Sequence, residues 1–302
     1  MAWEKLGLVF SPDTSLFWQQ SHAQNPFPIK LSDHVFRVFY ASRDKDNVSR
    51  TGFFDLDMRD IFATKNYSKE PVLDIGPLGA FDDCGAMAHS IIKIGQDYVL
   101  YYTGWSKAVS VPFTFYIGAA KSAKLEGPFI KVSQAPILGR NYFDPFLTSA
   151  PFVIPYQNYF LMYYISGLKW EKESSGAIKH YYTIKYAVSN DGLSWTSYPN
   201  IVMPLLQDEY AIARPVIFED RGSHELWFSY RGGDNTYRIG MAHSKDMINW
   251  TREAVNFEPS TGDDWDNEMV CYPHPFFYNG EKYLLYNGRG YGATGVGLAK
   301  LK

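Results

Sequence analysis

The sequence predicts an all-β fold, a single five-bladed β-propeller over residues 1–302 with four antiparallel strands in each blade. Five times along the chain, roughly every 60 residues, an aromatic-rich strand ends in a similar six-residue sequence motif, which we call a phrase. Such a recurrence is expected of a repeat architecture. Sustained helical periodicity is nearly absent, and turn signals such as Asn279–Gly280 separate apolar runs. The five phrases are Val38–Arg43, Leu100–Trp105, Met162–Gly167, Trp227–Gly232 and Leu285–Gly290. A β-sandwich is the alternative, and the five-fold recurrence argues against it.

Each later repeat divides into the successive strands of one blade. In the second repeat the predicted strands are Ala86–Ile94, Tyr98–Thr103, Phe113–Lys121 and Pro128–Val132. In the third they are Pro151–Pro155, Tyr159–Ser166 and His180–Ser189. In the fourth they are Pro215–Glu219, Glu225–Tyr230 and Tyr237–Ser244, and in the fifth Pro273–Tyr278, Lys282–Tyr286 and Thr294–Leu301.

A second repeat follows two of the third strands. Tyr186–Trp195 and Met241–Trp250 both read Ala-x-Ser-x-Asp, with Trp four residues after the Asp. The Ser and Asp side chains favour a turn, because they can hydrogen-bond to nearby backbone. We expect the Trp to pack between neighbouring blades.

Composition excludes several classes of function. The net charge is −3 and the charges are scattered, so neither nucleic acid nor a membrane surface is a predicted partner. No apolar run could span a bilayer, and the first residues lack a signal-peptide pattern, so the sequence predicts a cytoplasmic protein. The two cysteines, Cys84 and Cys271, do not form a disulfide framework. The oligomeric state stays open.

In a propeller the first strands of the blades surround a central channel. Residues just before these strands should therefore converge on one pocket. The converging segments are Ser21–Pro28, Phe81–His89, Thr148–Phe152, Asp208–Pro215 and Asp266–Pro275.

These segments resemble the five-bladed glycosidase superfamily, which includes invertase-like, arabinanase- and xylosidase-like, and mannoside phosphorylase-like enzymes. The resemblance rests on Gln24–Pro26, Phe143–Pro145, Ala213–Pro215, Glu268–Pro273 and the glycine-rich residues 288–297. It implies a carbohydrate-active enzyme with a small carbohydrate or oligosaccharide as substrate. Invertase-like members carry a catalytic Asp where this chain has Asn25, which cannot ionise but can bind a sugar hydroxyl. The strict Arg-Asp-Pro and Glu-Cys signatures are also missing, so the family's catalytic carboxylates do not transfer position by position.

Glycoside hydrolysis needs one protonated and one ionised carboxyl group. We expect Glu209 to be the acid, since apolar residues follow it, and Asp83 or Glu268 to be the base or nucleophile. Each of these carboxylates could instead have a structural role. Asp83 could cap a turn, Glu209 could lie in a solvated loop, and Glu268 could form a salt bridge.

A further set of residues is predicted to bind substrate. Arginines can orient a carboxylate or hold a phosphate or acidic sugar, and aromatic rings can stack on sugars. The set is His22, Asn25, Arg43, Trp105, Ser149, Arg214, Tyr272 and Arg289. No metal ligand set and no cofactor is predicted, because no recognised spacing occurs, although a structural divalent cation in the central channel stays open.

The sequence is compatible with three functions. The first is a glycoside hydrolase with paired carboxylates in the hub. The second is a glycoside phosphorylase or glycosyl-transferring enzyme of polysaccharide metabolism, which Asn25 and the arginines favour. The third is a non-catalytic glycan-binding propeller.

Overall fold

A computed structural model describes residues 2–64, 66–220, 222–233 and 236–302. These residues form an all-β structure, as predicted, with one four-residue helical turn. The strands are β1 (Trp3–Phe10), β2 (Ser21–Lys30), β3 (Val35–Arg43), β4 (Ser49–Asp57), β5 (Gly85–Ile94), β6 (Asp97–Lys107), β7 (Phe113–Ser122), β8 (Ile130–Lys131), β9 (Thr148–Tyr156), β10 (Tyr159–Lys172), β11 (Ile178–Ser189), β12 (Thr196–Met203), β13 (Ala211–Asp220), β14 (Ser223–Arg231), β15 (Tyr237–Ser244), β16 (Thr251–Glu253), β17 (Cys271–Tyr278), β18 (Glu281–Asn287) and β19 (Val296–Leu301). The helical turn α1 (Arg289–Gly292) precedes β19.

The strands pair as successive antiparallel meanders. Meander 1 is β2–β3–β4, meander 2 is β5–β8, meander 3 is β9–β12 and meander 4 is β13–β16. Meander 5 is β17–β18–β19, and the N-terminal strand β1 completes it by pairing with β19. The Asn279–Gly280 turn joins β17 to β18 with both residues at positive φ, 50° and 77°, as expected of a tight hairpin.

The first strands of the meanders form a ring. Strand β2 contacts β5, β5 contacts β9, β9 contacts β13, β13 contacts β17, and β17 returns to β2. The ring surrounds what we call the hub.

Each first strand carries a β-bulge where it faces the hub. In four meanders an X-Pro pair opposes one residue of the second strand. The pairs are Asn25–Pro26, Ala150–Pro151, Arg214–Pro215 and Tyr272–Pro273. Each X residue has φ between 49° and 58°, a left-handed conformation that non-glycine residues adopt at a cost. In meander 2 the extra residue is His89, which lies between the paired Ala88 and Ser90.

Neighbouring meanders hold the bulges through side-chain hydrogen bonds. The backbone N–H of Asn25 donates to Asn287 Oδ1 at 3.0 Å. The N–H of Ala150 donates to Thr103 Oγ1 at 2.8 Å, and that of Tyr272 donates to Ser229 Oγ at 2.7 Å. Each acceptor comes from the second strand of the adjacent meander, so the bulges also join the meanders.

Three meanders contain a buried Asp–Tyr–Lys brace. Asp144 accepts hydrogen bonds from Tyr164 Oη at 3.0 Å, Ser166 Oγ at 2.6 Å and Lys185 Nζ at 3.2 Å. Asp82 likewise binds Tyr102 and Lys131, and Asp266 binds Tyr286 and Lys5. The three aspartates are at most 1% exposed. In each case the Tyr follows the Asp by 20 residues, so the brace recurs with the repeat.

The two predicted tryptophans pack between meanders, as expected. Trp195 of meander 3 makes an edge contact with Tyr101 of meander 2, with ring centroids 6.1 Å apart. Trp250 of meander 4 makes the same contact with Tyr163 of meander 3, also at 6.1 Å.

Removing the carboxylate of one brace should destabilise the protein strongly. We expect Asp144→Ala to lower the free energy of unfolding by about 3–5 kcal/mol, because it leaves the Lys185 ammonium buried without a counter-ion. The matched control is Glu171→Ala, which removes one partner of the exposed Lys169–Glu171 pair and should cost less than about 1 kcal/mol. Urea denaturation of both variants measures the difference. Equal losses would contradict the role given to the brace.

Candidate active site in the hub

The hub contains a cavity of about 300 Å³. All five bulge residues, Asn25, His89, Ala150, Arg214 and Tyr272, line it. A bulge changes the direction in which a side chain points, so the bulges bring these residues together. The other lining residues are Gln24, Arg43, Met87, Phe113, Phe115, Leu147, Ser149, Ile165, His180, Tyr182, Ala213, Arg231, Tyr237 and Tyr291.

A hydrogen-bonded chain joins two lining residues, Ser149 and His89, through Thr103. Ser149 Oγ lies 3.0 Å from Thr103 Oγ1, which lies 2.9 Å from His89 Nε2. Thr103 also accepts the Ala150 N–H, so the chain is anchored to the bulge of meander 3. His89 Nδ1 is buried and has no hydrogen-bond partner among the described residues, which leaves one polar atom of the lining unsatisfied.

Three arginines give the lining a positive charge, although the whole protein is net negative. Arg214 is 2% exposed and donates to the carbonyl oxygens of Pro26, Tyr272 and Pro273 at 2.7–3.1 Å. Burial lowers the pKa of Arg214 to about 9, so the guanidinium is charged at neutral pH. Arg43 donates to Gln24 Oε1 at 2.9 Å.

Arg231 makes mainly aromatic contacts. Its guanidinium carbon lies 4.1 Å from the ring centroid of Tyr237 and 5.0 Å from that of Tyr291. Tyr237 in turn hydrogen-bonds to Tyr182 through their hydroxyl groups. Within the described part of the chain, none of the three arginines forms an ion pair with a carboxylate.

An aromatic wall lines the cavity from β7 of meander 2. Phe113 and Phe115 stack with centroids 4.3 Å apart, and Phe113 meets His180 at 5.4 Å. His180 also stacks on Tyr182 at 4.8 Å and approaches Trp170 at 5.0 Å. We call Phe113 and Phe115 the aromatic wall.

The histidines near the cavity are neutral at pH 7. Burial lowers the pKa of His180 to about 4, and the charge of Arg231 adds to this shift. Burial and Arg43 lower the pKa of His22 to about 4 in the same way. For His89, burial and Arg214 hold the pKa well below its usual value. Each of the three arginines therefore helps to keep one histidine neutral.

The structure brings together five of the eight predicted substrate-binding residues. Asn25, Arg43, Ser149, Arg214 and Tyr272 all line the cavity. The other three do not. His22 lies next to Arg43 and hydrogen-bonds to Ser21, Trp105 packs against Gly85 at the start of β5, and Arg289 is exposed on α1.

The three predicted catalytic carboxylates do not line the cavity. Glu209 forms a two-pronged ion pair with Arg252, at 2.6 and 2.9 Å. Asp83 accepts a hydrogen bond from the Gly79 N–H at 3.0 Å and so stabilises a turn. The side chain of Glu268 is exposed. Glu209 precedes the bulge at Arg214 by five residues, which is roughly 16 Å along an extended chain. Of the described residues that line the cavity, none is Asp or Glu.

Several lining residues do not stand out in the sequence as substrate contacts. Sequence reasoning gives equal weight to an inter-blade pair and a ligand contact for Arg231, and it favours a satisfied channel histidine for His89. The others are Phe113, Phe115, His180, Tyr182, Tyr237 and Tyr291. Tyr291 lies on α1, and the rest lie near the starts of the third strands β7, β11 and β15. The unusual length of β10 and β11, 14 and 12 residues, is the signal that could have indicated them.

The described residues include neither a metal-binding cluster nor a membrane-spanning helix. No group of three or more His, Cys, Asp or Glu side chains there could hold a metal ion. No helix there is long and apolar enough to cross a membrane.

The fold is that of the propeller glycoside hydrolases. A glycosyl hydrolase from Bacteroides ovatus aligns with a TM-score of 0.72 and 17% identity, over 98% of this protein and 93% of the other. A structure from work on "the GH130 family of mannoside phosphorylases" aligns with a TM-score of 0.71 and 18% identity, over 100% and 94%. A Bombyx mori GH32 beta-fructofuranosidase aligns with a TM-score of 0.65 and 16% identity, over 96% and 64%. At these identities the similarity shows the fold alone.

Sequence comparison assigns the chain to a family. It is 38% identical over 307 residues to the Mycobacterium tuberculosis (strain ATCC 25618 / H37Rv) protein "Uncharacterized protein Rv1502", covering the whole of both. The same identity and coverage hold for "Uncharacterized protein MT1551" of strain CDC 1551 / Oshkosh. The chain therefore belongs to the family of these mycobacterial proteins. No family model matches it.

The lowered histidine pKa values predict acid sensitivity. Because His22 and His180 have folded pKa values of about 4 against 6.5 unfolded, the unfolded chain binds more protons between these values. The stability that they contribute is complete above pH 6.5 and is lost as the pH falls toward 4. At pH 5 we expect a loss of about 1–2 kcal/mol for each of these histidines. Denaturant unfolding at pH 7, 6 and 5 measures it, and His180→Gln should flatten the dependence. A stability that does not change between pH 7 and 5 would contradict the burial of these rings.

Proposed function

We propose that this protein is a carbohydrate-active enzyme that binds a sugar in the hub of a five-bladed propeller and acts on its glycosidic bond by transfer, without a pair of hub carboxylates. Two arguments support the five blades: the meanders succeed one another along the chain, and their first strands contact each other in cyclic order. The observation that carries the function is the lining of the cavity, which combines bulge-presented polar groups with an aromatic wall.

The lining has the composition of a sugar-binding site. Sugars present hydroxyl groups at their edges and C–H groups on their faces, so they need hydrogen-bonding groups beside flat apolar surfaces. Asn25, Ser149 and Tyr272 supply the first, and Phe113 and Phe115 supply the second. Strained, non-glycine bulge residues are concentrated at functional sites, which favours a role for these positions beyond packing. The propeller glycoside hydrolases found by structural comparison act on carbohydrates, which agrees with this proposal.

The chemistry is argued from what the lining contains. Hydrolysis by two carboxyl groups places both within about 5–9.5 Å across the scissile bond. Asp83, Glu209 and Glu268 lie outside the lining and are engaged elsewhere or exposed. In phosphorolysis or glycosyl transfer, the attacking oxygen belongs to an incoming phosphate or acceptor, so the protein need not provide a carboxylate nucleophile. The proton that this oxygen loses as the new C–O bond forms goes to the leaving oxygen of the glycosidic bond that breaks. The arginines of the lining favour this class.

A non-catalytic glycan-binding propeller is the second candidate. It is favoured by the same lack of acidic groups in the described lining. It predicts sugar binding with no turnover of any glycoside, whether or not phosphate is present.

The decisive experiment is a panel of glycosides, assayed with and without inorganic phosphate and with glycosyl acceptors. We expect turnover that depends on phosphate or acceptor. Glu209→Gln and Glu268→Gln should retain at least about half of the activity, because neither side chain lines the cavity. Ser149→Ala should weaken sugar binding by roughly twofold to tenfold through loss of one hydrogen bond. Ser106→Ala, outside the lining, is its control.

Two results would contradict the proposal. The first is water-dependent cleavage that needs neither phosphate nor acceptor and is abolished by Glu209→Gln in a folded protein. The second is normal sugar binding in a variant whose cavity is filled, such as Ala213→Trp.

A further inference from the structure

We infer that the hub selects a sugar that itself carries a phosphate group, and that Arg43 and Arg231 hold this phosphate while the sugar ring lies against the aromatic wall. The inference rests on the proposed function, since it names the substrate class of the same cavity. It comes from the way in which charged and apolar residues divide between the two sides of the cavity.

The charged side is formed by meanders 4, 5 and 1, which are adjacent in the ring. Arg231 ends β14 of meander 4, and Arg43 ends β3 of meander 1. Tyr272 and Tyr291 of meander 5 lie between them in ring order. Tyr291 is 5.0 Å from the Arg231 guanidinium carbon, and both tyrosines lie near enough to Arg43 to oppose the effect of burial on its pKa. Two guanidinium groups thus flank a pair of phenol rings.

No carboxylate of the described residues balances the charge of this side. Among those residues, the buried Nε of Arg231 has no hydrogen-bond partner, and Arg43 is bonded only to the neutral Gln24. Arg214, which is 2% exposed, adds a third positive charge to the lining of the cavity. A buried charge without a counter-ion is costly, so the arrangement is stabilised when an anion binds.

The amount of charge favours phosphate over a carboxylate. One guanidinium can satisfy a carboxylate by a two-pronged pair, whereas two separate guanidinium groups match the three oxygens and the roughly −1.5 to −2 charge of a phosphate monoester. The phenol hydroxyl groups of Tyr272 and Tyr291 are additional donors, and burial raises the pKa of Tyr272, so it keeps its proton.

The apolar side explains why the phosphate belongs to a sugar. Phe113 and Phe115 have no polar atoms in their side chains, and they come from β7 of meander 2, across the ring from meander 5. A free anion gains nothing from this wall. A molecule that joins an anion to a ring with apolar faces satisfies both sides at once, within a cavity of about 300 Å³ that suits a monosaccharide phosphate.

Calorimetric titration of the full-length protein tests the inference with four probes: mannose 1-phosphate, glucose 1-phosphate, methyl mannoside and inorganic phosphate. We expect at least one sugar phosphate to bind roughly tenfold or more tightly than either methyl mannoside or inorganic phosphate. Arg231→Gln and Arg43→Gln should each weaken sugar-phosphate binding by roughly tenfold or more, and should weaken methyl mannoside binding much less, because that ligand carries no phosphate. Arg59→Gln, which removes the same charge at an exposed site, is the matched control.

Variants of the aromatic wall distinguish a site for a sugar phosphate from a site for free inorganic phosphate. Phe113→Ala should weaken binding of the sugar phosphate but not of inorganic phosphate. If Arg231→Gln fails to fold, Arg231→Lys is the alternative variant. It keeps the positive charge but loses the planar set of N–H donors of a guanidinium, so it should still weaken sugar-phosphate binding.

Three outcomes would overturn the inference. If methyl mannoside binds as tightly as the sugar phosphates and Arg231→Gln has no effect, the inference fails and the proposed function stands. If inorganic phosphate binds as tightly as the sugar phosphates and Phe113→Ala has no effect, the anion is a free co-substrate. If none of the saccharides binds, the proposed function fails as well.

Discussion

The β-bulge in each first strand is the constraint on which the rest of the structure depends. A regular strand would direct alternate side chains into the sheet packing, and the hub would be closed by apolar residues. The bulge adds one or two residues that the second strand does not match, so Asn25, His89, Ala150, Arg214 and Tyr272 face a shared cavity. Four of these positions have a left-handed backbone. Three of them, Asn25, Ala150 and Tyr272, are held by hydrogen bonds that their N–H groups donate to Asn287, Thr103 and Ser229.

The same repeat places the acidic residues of the chain where they stabilise the fold. Asp82, Asp144 and Asp266 each bind a Tyr and a Lys, and in meanders 3 and 5 this Tyr lies directly opposite the X-Pro bulge. Glu209 is similarly bound to Arg252. The acids near the hub are therefore largely structural, while the arginines of the cavity have no acidic partner among the described residues. This division is the main support for the proposed transfer chemistry and for the proposed ligand that carries its own negative charge.

Most of the fold could be predicted from the sequence, and part of the site could. The recurring phrases indicated the second strands, and all five hub segments contain a bulge residue. The predicted carboxylates differ from the lining residues in their position along each segment: Asp83, Glu209 and Glu268 come four to six residues before the bulge. The X-Pro pairs inside otherwise regular strands were the overlooked signal, because Pro is confined to bulges and edges. Phe113 and His180 could not be assigned, since their approach to the cavity depends on how hairpins from different meanders pack together.

The most direct test of this account is an experimental structure of the protein with a bound saccharide. The account predicts that the saccharide lies in the hub, in contact with at least three of the five bulge residues and with Phe113 or Phe115. A saccharide bound on the outer rim beside Glu209 or Glu268, with the hub unchanged, would contradict it.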